Sequence, residues 1–198
     1  MKRTAALILS LVLLLSVMGV RAEGEEPLFK QMAALEWLFC SGAGGWAADL
    51  WILEDGSFRG EYHALDMNDA GEGYPLGTVY ICDFTGRMTL LEQADERSWK
   101  ILIEKMAFDE ELGLETIIEE GYRCITTDFY GITEGDEMTL YLPGTPVDAL
   151  SDDMRMWAHL YDMENAPSEL ENWMLCSEKN DSGFVGYPIF DGAAEENP

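Results

Sequence analysis

The stretch from Leu65 to Gly77, LDMNDAGEGYPLG, gathers the side chains best suited to chemistry. Asp66, Asn68 and Gly71 occupy the spacing of positions one, three and six of an EF-hand calcium loop. Ala70 fails position five, and Gly77 stands where the bidentate glutamate belongs. Asp69 and Glu72 add carboxylate oxygens, so Asp66, Asn68, Asp69 and Glu72 form a weak calcium candidate, and calcium is the one cofactor the pattern admits. Beside them, His63 can exchange a proton near neutral pH, and Tyr74 offers a flat ring. Trp51 stands out among six tryptophans, because it shares a strand face with Asp49 while its neighbours alternate into a core. Trp51, His63, Asp66, Asp69 and Tyr74 are therefore the candidate ligand-binding residues.

Other chemistries find less support. His63 and His159 are the only histidines, too few for a three-histidine zinc site. The chain has no GxSxG elbow. GAGGWA at 42–47 matches G-x-G-x-x-A, but a strand pattern follows where a phosphate-binding helix would have to begin. Thirty-eight acids allow paired carboxylates anywhere; the acid-rich stretch from Asp109 to Glu120 reads as a charged strand end and loop. The net charge of −26 excludes nucleic acid, whose phosphates need Lys and Arg.

Local patterning shows what must hold these residues. Residues 1–22 read as a secretory signal peptide: Lys2 and Arg3, an apolar run from Ala5 to Val20, then Val20 and Ala22 at the cleavage positions. Once the leader is removed, no membrane span is expected. Residues 23–190 are expected to form one β domain, and 191–198 a disordered acidic tail. After residue 40 the dominant hydrophobic period is two. WAADLWIL and FRGEYHA alternate around Asp55-Gly56, a hairpin signal. TVYICDF is expected to turn at Thr85-Gly86 and return as RMTLLE. SWKILIEKM, a hairpin in ETIIEEGYRCITT, EMTLYL, NWMLCSE and GFVGY follow. Residues 28–39 fit either a short helix or an entry strand. The one clear helix is 152–161, with Ser151 as N-cap.

The expected fold is all-β: an antiparallel meander forming a barrel or strongly curved sheet, loosely lipocalin-like, with one short C-terminal helix. In an oxidising compartment four cysteines favour two disulfides. Closure of the sheet would bring the strand of Cys40 beside that of Cys176, predicting Cys40–Cys176 and Cys82–Cys124.

The segment from Ser41 to Met88 resembles a family of uncharacterised secreted proteins of gut-dwelling Gram-positive bacteria. The resemblance rests on Ser41-Gly42-Ala43-Gly44, Trp46, Asp55-Gly56-Ser57-Phe58, Gly60, His63, Asp66-Met67, Tyr74-Pro75, Gly77-Thr78-Val79-Tyr80, Cys82 and Gly86, with YLPGTP at Tyr141–Pro146 further on. Asn68 and Ala64 depart from the family pattern. The resemblance implies a secreted protein of lipocalin-like architecture and supplies no activity.

The expectation is a secreted, monomeric, non-catalytic binding module. It would hold a small apolar molecule or a glycan at a barrel mouth bordered by the Leu65–Gly77 loop. Two other readings stay open. One is an extracellular hydrolase using paired carboxylates or His63. The other is a calcium-stabilised structural or adhesive protein.

Overall fold

The computed structural model describes residues 25–117 and 121–189. The leader at 1–22 and the tail at 191–198 lie outside the described residues.

Eight antiparallel strands close into a barrel: β1 (Leu35–Cys40), β2 (Trp46–Ile52), β3 (Ser57–Asp66), β4 (Thr78–Asp95), β5 (Ser98–Phe108), β8 (Glu137–Tyr141), β9 (Trp173–Ser177) and β10 (Ser182–Pro188). Neighbours in the chain pair up, and β1 pairs with β10 to seal the ring, with Leu35 opposite Pro188. Closure removes the two free edges that an eight-strand meander would otherwise expose. Period-two alternation decides the faces. In β2, Ala48, Leu50 and Ile52 are buried, while Ala47, Asp49 and Trp51 alternate onto the other, partly exposed face.

Residues 28–39 are both helix and strand, since α1 (Glu25–Met32) leads into β1. The expected hairpin within 115–126 exists as β6 (Glu115–Ile117) and β7 (Arg123–Thr126), but it lies outside the barrel. There β7 runs parallel to the first residues of β4, with Thr78 opposite Arg123.

The turn expected at Thr85-Gly86 does not form. β4 runs through it without interruption, bulging after Arg87. Gly86 serves a different purpose. A Cβ there would sit 2.2 Å from the Phe58 ring and 2.4 Å from the Lys105 carbonyl. Gly60 is the mirror case, directly opposite Phe84, whose ring would be 2.2 Å from its Cβ. Each glycine seats an aromatic ring from the facing strand, as curved sheets require.

The interior is filled. Phe39, Phe58, Phe84 and Phe184 point inward; Phe58 packs on Phe84, and Phe39, Phe84 and Phe184 meet Phe129, which enters from the loop between β7 and β8. Phe129 stacks on Phe84 at 4.9 Å and touches Tyr62 at 5.2 Å and Phe184 at 6.2 Å. At the other end, α1 closes the barrel with Leu28, Phe29 and Met32. The Trp37 indole N–H donates to the Met32 carbonyl at 3.0 Å.

A second apolar cluster lies on the outside of β9 and β10. Met174 and Cys176 face outward there, opposite in phase to Leu175. They are covered by Val147 of a 3₁₀ turn (Val147–Ala149), by Leu150, and by Met154 of α2 (Asp152–Trp157). Ser151 caps α2 as expected, its hydroxyl accepting from the Met154 N–H at 3.2 Å. The helix stops at Trp157 and does not continue to 161; His159 has φ 59° and turns the chain away.

The expected disulfides are absent, and all four cysteines are free thiols. Strand register is the reason. Cys176 lies opposite Gly183 of β10, and continuing the β1–β10 register past Leu38 and Val185 leaves β10 between Cys40 and Cys176. Two strand spacings make about 10 Å, beyond the roughly 7 Å limit for bridged Cα atoms. Cys124 lies opposite Val79, and Cys82 is three residues further along β4, again about 10 Å away. Burial pushes the Cys82 thiol up to about 12 and the Cys176 thiol upward as well, so both stay protonated.

Candidate functional site

The residues singled out by type do not converge on one site. Trp51 lies on the outer barrel wall, with the Arg59 guanidinium 4.5 Å from its ring centroid. His63 is exposed on the same wall, four residues from Arg59 along β3, or about 13 Å. Asp66 ends β3, and its carboxylate accepts the Asn68 N–H at 2.9 Å. Asp69 and Tyr74 belong to a separate cluster centred on Arg123.

That cluster is internally saturated. The Arg123 guanidinium donates to the Asp69 carboxylate at 2.5 Å and lies 4.6 Å over the Tyr74 ring. The Tyr80 hydroxyl donates to the same carboxylate at 3.2 Å, and the Thr78 hydroxyl donates to the Asp69 carbonyl at 2.7 Å. Desolvation pushes the Asp69 carboxyl upward, but hydrogen bonds from Thr78 and Arg123 outweigh it and hold the group below its ordinary value. Backbone bonds from Leu76 to Gly121 and from Arg123 to Gly77, both 3.1 Å, fasten the loop to the β6–β7 hairpin. Asp69 already has its cation. Among the described residues, no three His, Cys, Asp or Glu side chains come together as a metal site.

A groove of about 610 Å³ opens elsewhere, on the outer face of β5 and β8. Its volume falls in the range that holds small ligands, roughly 300–1,000 Å³. Lys100, Thr139 and Tyr141 form the floor, because strand alternation turns them outward while Ile101, Met138 and Leu140 fill the barrel. The β4–β5 turn makes one wall with Asp95 and Arg97. The Gly144–Pro146 segment and Glu169 make the other. The second wall is rigid: Gly144 N–H donates to Leu170 C=O at 2.7 Å, and Leu170 N–H donates back to Thr145 C=O at 2.8 Å. Arg97 leans across, giving one guanidinium N–H to the Pro143 carbonyl at 3.0 Å. The Lys100 ammonium donates to the Thr139 hydroxyl at 2.9 Å. Burial pushes the Tyr141 phenol upward, so it stays protonated.

The groove presents donors, acceptors and a half-buried ring together. Arg97 keeps N–H groups beyond its bond to Pro143, since a guanidinium has five; Lys100, whose ammonium has three, spends one on Thr139 and lies 4.0 Å from the Glu137 carboxylate. Asp95 is engaged: the Arg97 backbone N–H and the Ser98 hydroxyl donate to its two oxygens at 2.7 Å each and lower its pKa. Sequence reasoning missed this site. Its available signal was YLPGTP, whose Tyr141, Gly144, Thr145 and Pro146 all line the groove.

Among the described residues, the carboxyls displaced from their ordinary values, Asp55, Asp69, Asp95 and Asp162, are displaced downward by the hydrogen bonds they accept. No helix among the described residues is long and apolar enough to cross a membrane. No protein-family model, curated protein or solved structure matches the chain.

Proposed function

We propose that this protein is a secreted, non-catalytic binding module whose ligand lies in the groove on the outer face of β5 and β8, and that the ligand is a glycan. The observation that carries the reading is the floor of that groove, where the Tyr141 ring lies beside the Lys100 ammonium and the Thr139 hydroxyl. A sugar has an apolar ring face and a girdle of hydroxyls that both donate and accept. An aromatic ring takes the first, and a mixed set of charged and hydroxyl groups takes the second. The filled barrel argues against an apolar ligand inside, because Phe129 and α1 occupy its two ends.

The test is calorimetric titration with a panel of neutral and amino-sugar oligosaccharides alongside a panel of fatty acids. The reading expects saturable binding of at least one oligosaccharide, weakened about tenfold or more in Tyr141→Ala, the cost of removing one stacked ring. Binding confined to the fatty acids, or oligosaccharide binding unchanged by Tyr141→Ala, would sink it.

A further inference from the structure

We infer that the β6 edge is a docking strand for an extended basic peptide segment that sets a lysine or arginine opposite Glu115 and branched apolar residues opposite Leu114 and Ile117. The barrel has no free edge, but the β6–β7 hairpin appended to β4 creates one, and β6 is the last strand of the ten-strand sheet. The pairing phase shows which backbone groups it offers. Thr126 N–H donates to Leu114 C=O at 3.0 Å, and Thr116 lies opposite Cys124. Hydrogen-bonding direction alternates along a strand. Thr116 therefore turns its N–H and C=O toward β7, and Glu115 and Ile117 turn theirs outward. Two residues at this spacing can accept an added strand through main-chain bonds.

Among the described residues, the edge and its neighbours expose apolar groups: Ile117 is 58% exposed, and Leu76, Leu112 and Leu114 each 49%. The β3–β4 loop packs against the hairpin and keeps these groups on one end of the molecule. A Cβ at Gly121 would lie 3.7 Å from the Leu76 side chain, and one at Gly73 3.8 Å from Ile117.

Charge selects the occupant. Glu115 lies on the edge, its carboxylate 3.8 Å from the Arg123 guanidinium but still 60% exposed, Asp109, Glu110 and Glu111 precede it, and the whole chain carries −26. A second copy would set Glu115 and this charge against their own kind, which opposes self-pairing. A basic segment meets the same field with attraction. Residues opposite Leu114 and Ile117 are best apolar, and the one opposite Glu115 best basic.

The test uses the peptide acetyl-KVTKVTK-amide with the whole protein at low salt, followed by amide chemical shifts and hydrogen exchange. The expected result is saturable binding that slows exchange at the Glu115 and Ile117 amides. Acetyl-EVTEVTE-amide should not bind. Ile117→Pro removes one outward N–H while leaving the β6–β7 pairing untouched, and should weaken binding about tenfold, the worth of roughly one hydrogen bond. Glu115→Lys should reverse the preference between the two peptides. No saturable binding of the basic peptide would overturn the proposal. So would binding that Ile117→Pro leaves unchanged, which would mean charge attraction alone, or a dimer in sedimentation that Ile117→Pro dissolves.

Discussion

The β3–β4 loop and the segment from Leu142 to Ala149 are both long connections at barrel ends, and they are built in opposite ways. The first spends its polar groups on itself: Asp69 on Arg123 and Tyr80, Tyr74 under Arg123, Asp66 on the Asn68 N–H. The second pairs its backbone with the 168–170 segment and leaves a groove beside it, where Arg97, Lys100 and Tyr141 retain capacity. A residue of suitable type is available to a ligand only when its partners within the fold have not already satisfied it. Composition shows the type; only tertiary structure shows what remains unsatisfied.

The largest expected effect concerns the filled interior, on which the proposed placement of a ligand at the outer wall rests. Phe129→Ala removes a buried ring that touches five other aromatics, and should cost about 3–5 kcal/mol in urea unfolding. The same variant should gain binding of a small apolar probe, since dry cavities of this kind accept one. Stability unchanged by the substitution would mean the barrel is not plugged there.

Next in size is the polar anchor beneath the β9–β10 turn. Asp136 is buried, accepts from Ser177 at 2.5 Å and from the Asn180 amide at 2.7 Å, and has no cation within the described ion pairs. Asp136→Ala should cost about 1–3 kcal/mol by stranding those donors. Gly86→Ala should cost a similar amount by colliding with the Phe58 ring, and Phe58→Leu should recover part of it.

The saturated loop gives a pH signature. Asp69 is held below its ordinary value of 3.8, so its contribution is fully present above that value and is lost as pH falls toward the folded value. The melting temperatures of the protein and of Asp69→Asn should differ at neutral pH and converge in strong acid. A difference that persists in acid would show that charge is not what fastens the loop.

The smallest effect lies on the outer wall. Glu61 stands directly opposite Asp49 on one side and Asp83 on the other. Like charges facing across strands repel, so Glu61→Gln should stabilise by about 0.2–1 kcal/mol, less at high salt.

Much of the barrel was legible in the sequence. The strands follow from alternation, and the Asp55-Gly56 corner from its turn residues, with Gly56 at φ 80°. The Thr85-Gly86 turn was misread because glycine marks both a corner and a seat for a facing ring, and only the facing strand distinguishes them. The parallel β4–β7 pairing and the plug at Phe129 were not legible, because both join segments far apart in the chain with no local pattern. The cysteine pairing failed for a related reason, since register, not proximity of strands, decides which Cα atoms meet. Alkylation of the unreduced protein should accordingly find four thiols, with Cys40 and Cys124 reacting before the buried Cys82 and Cys176. Of the candidate site, sequence offered only YLPGTP, as a resemblance without a role.

The most direct test of the account is amide chemical-shift mapping of the protein titrated with the oligosaccharide that binds best. The account predicts shifts concentrated at Lys100, Thr139, Tyr141, Thr145 and the Asp95–Ser98 turn, with Phe39, Phe84 and Phe184 unmoved. Shifts concentrated on those interior positions, or around Asp66, Asp69 and Tyr74, would contradict it.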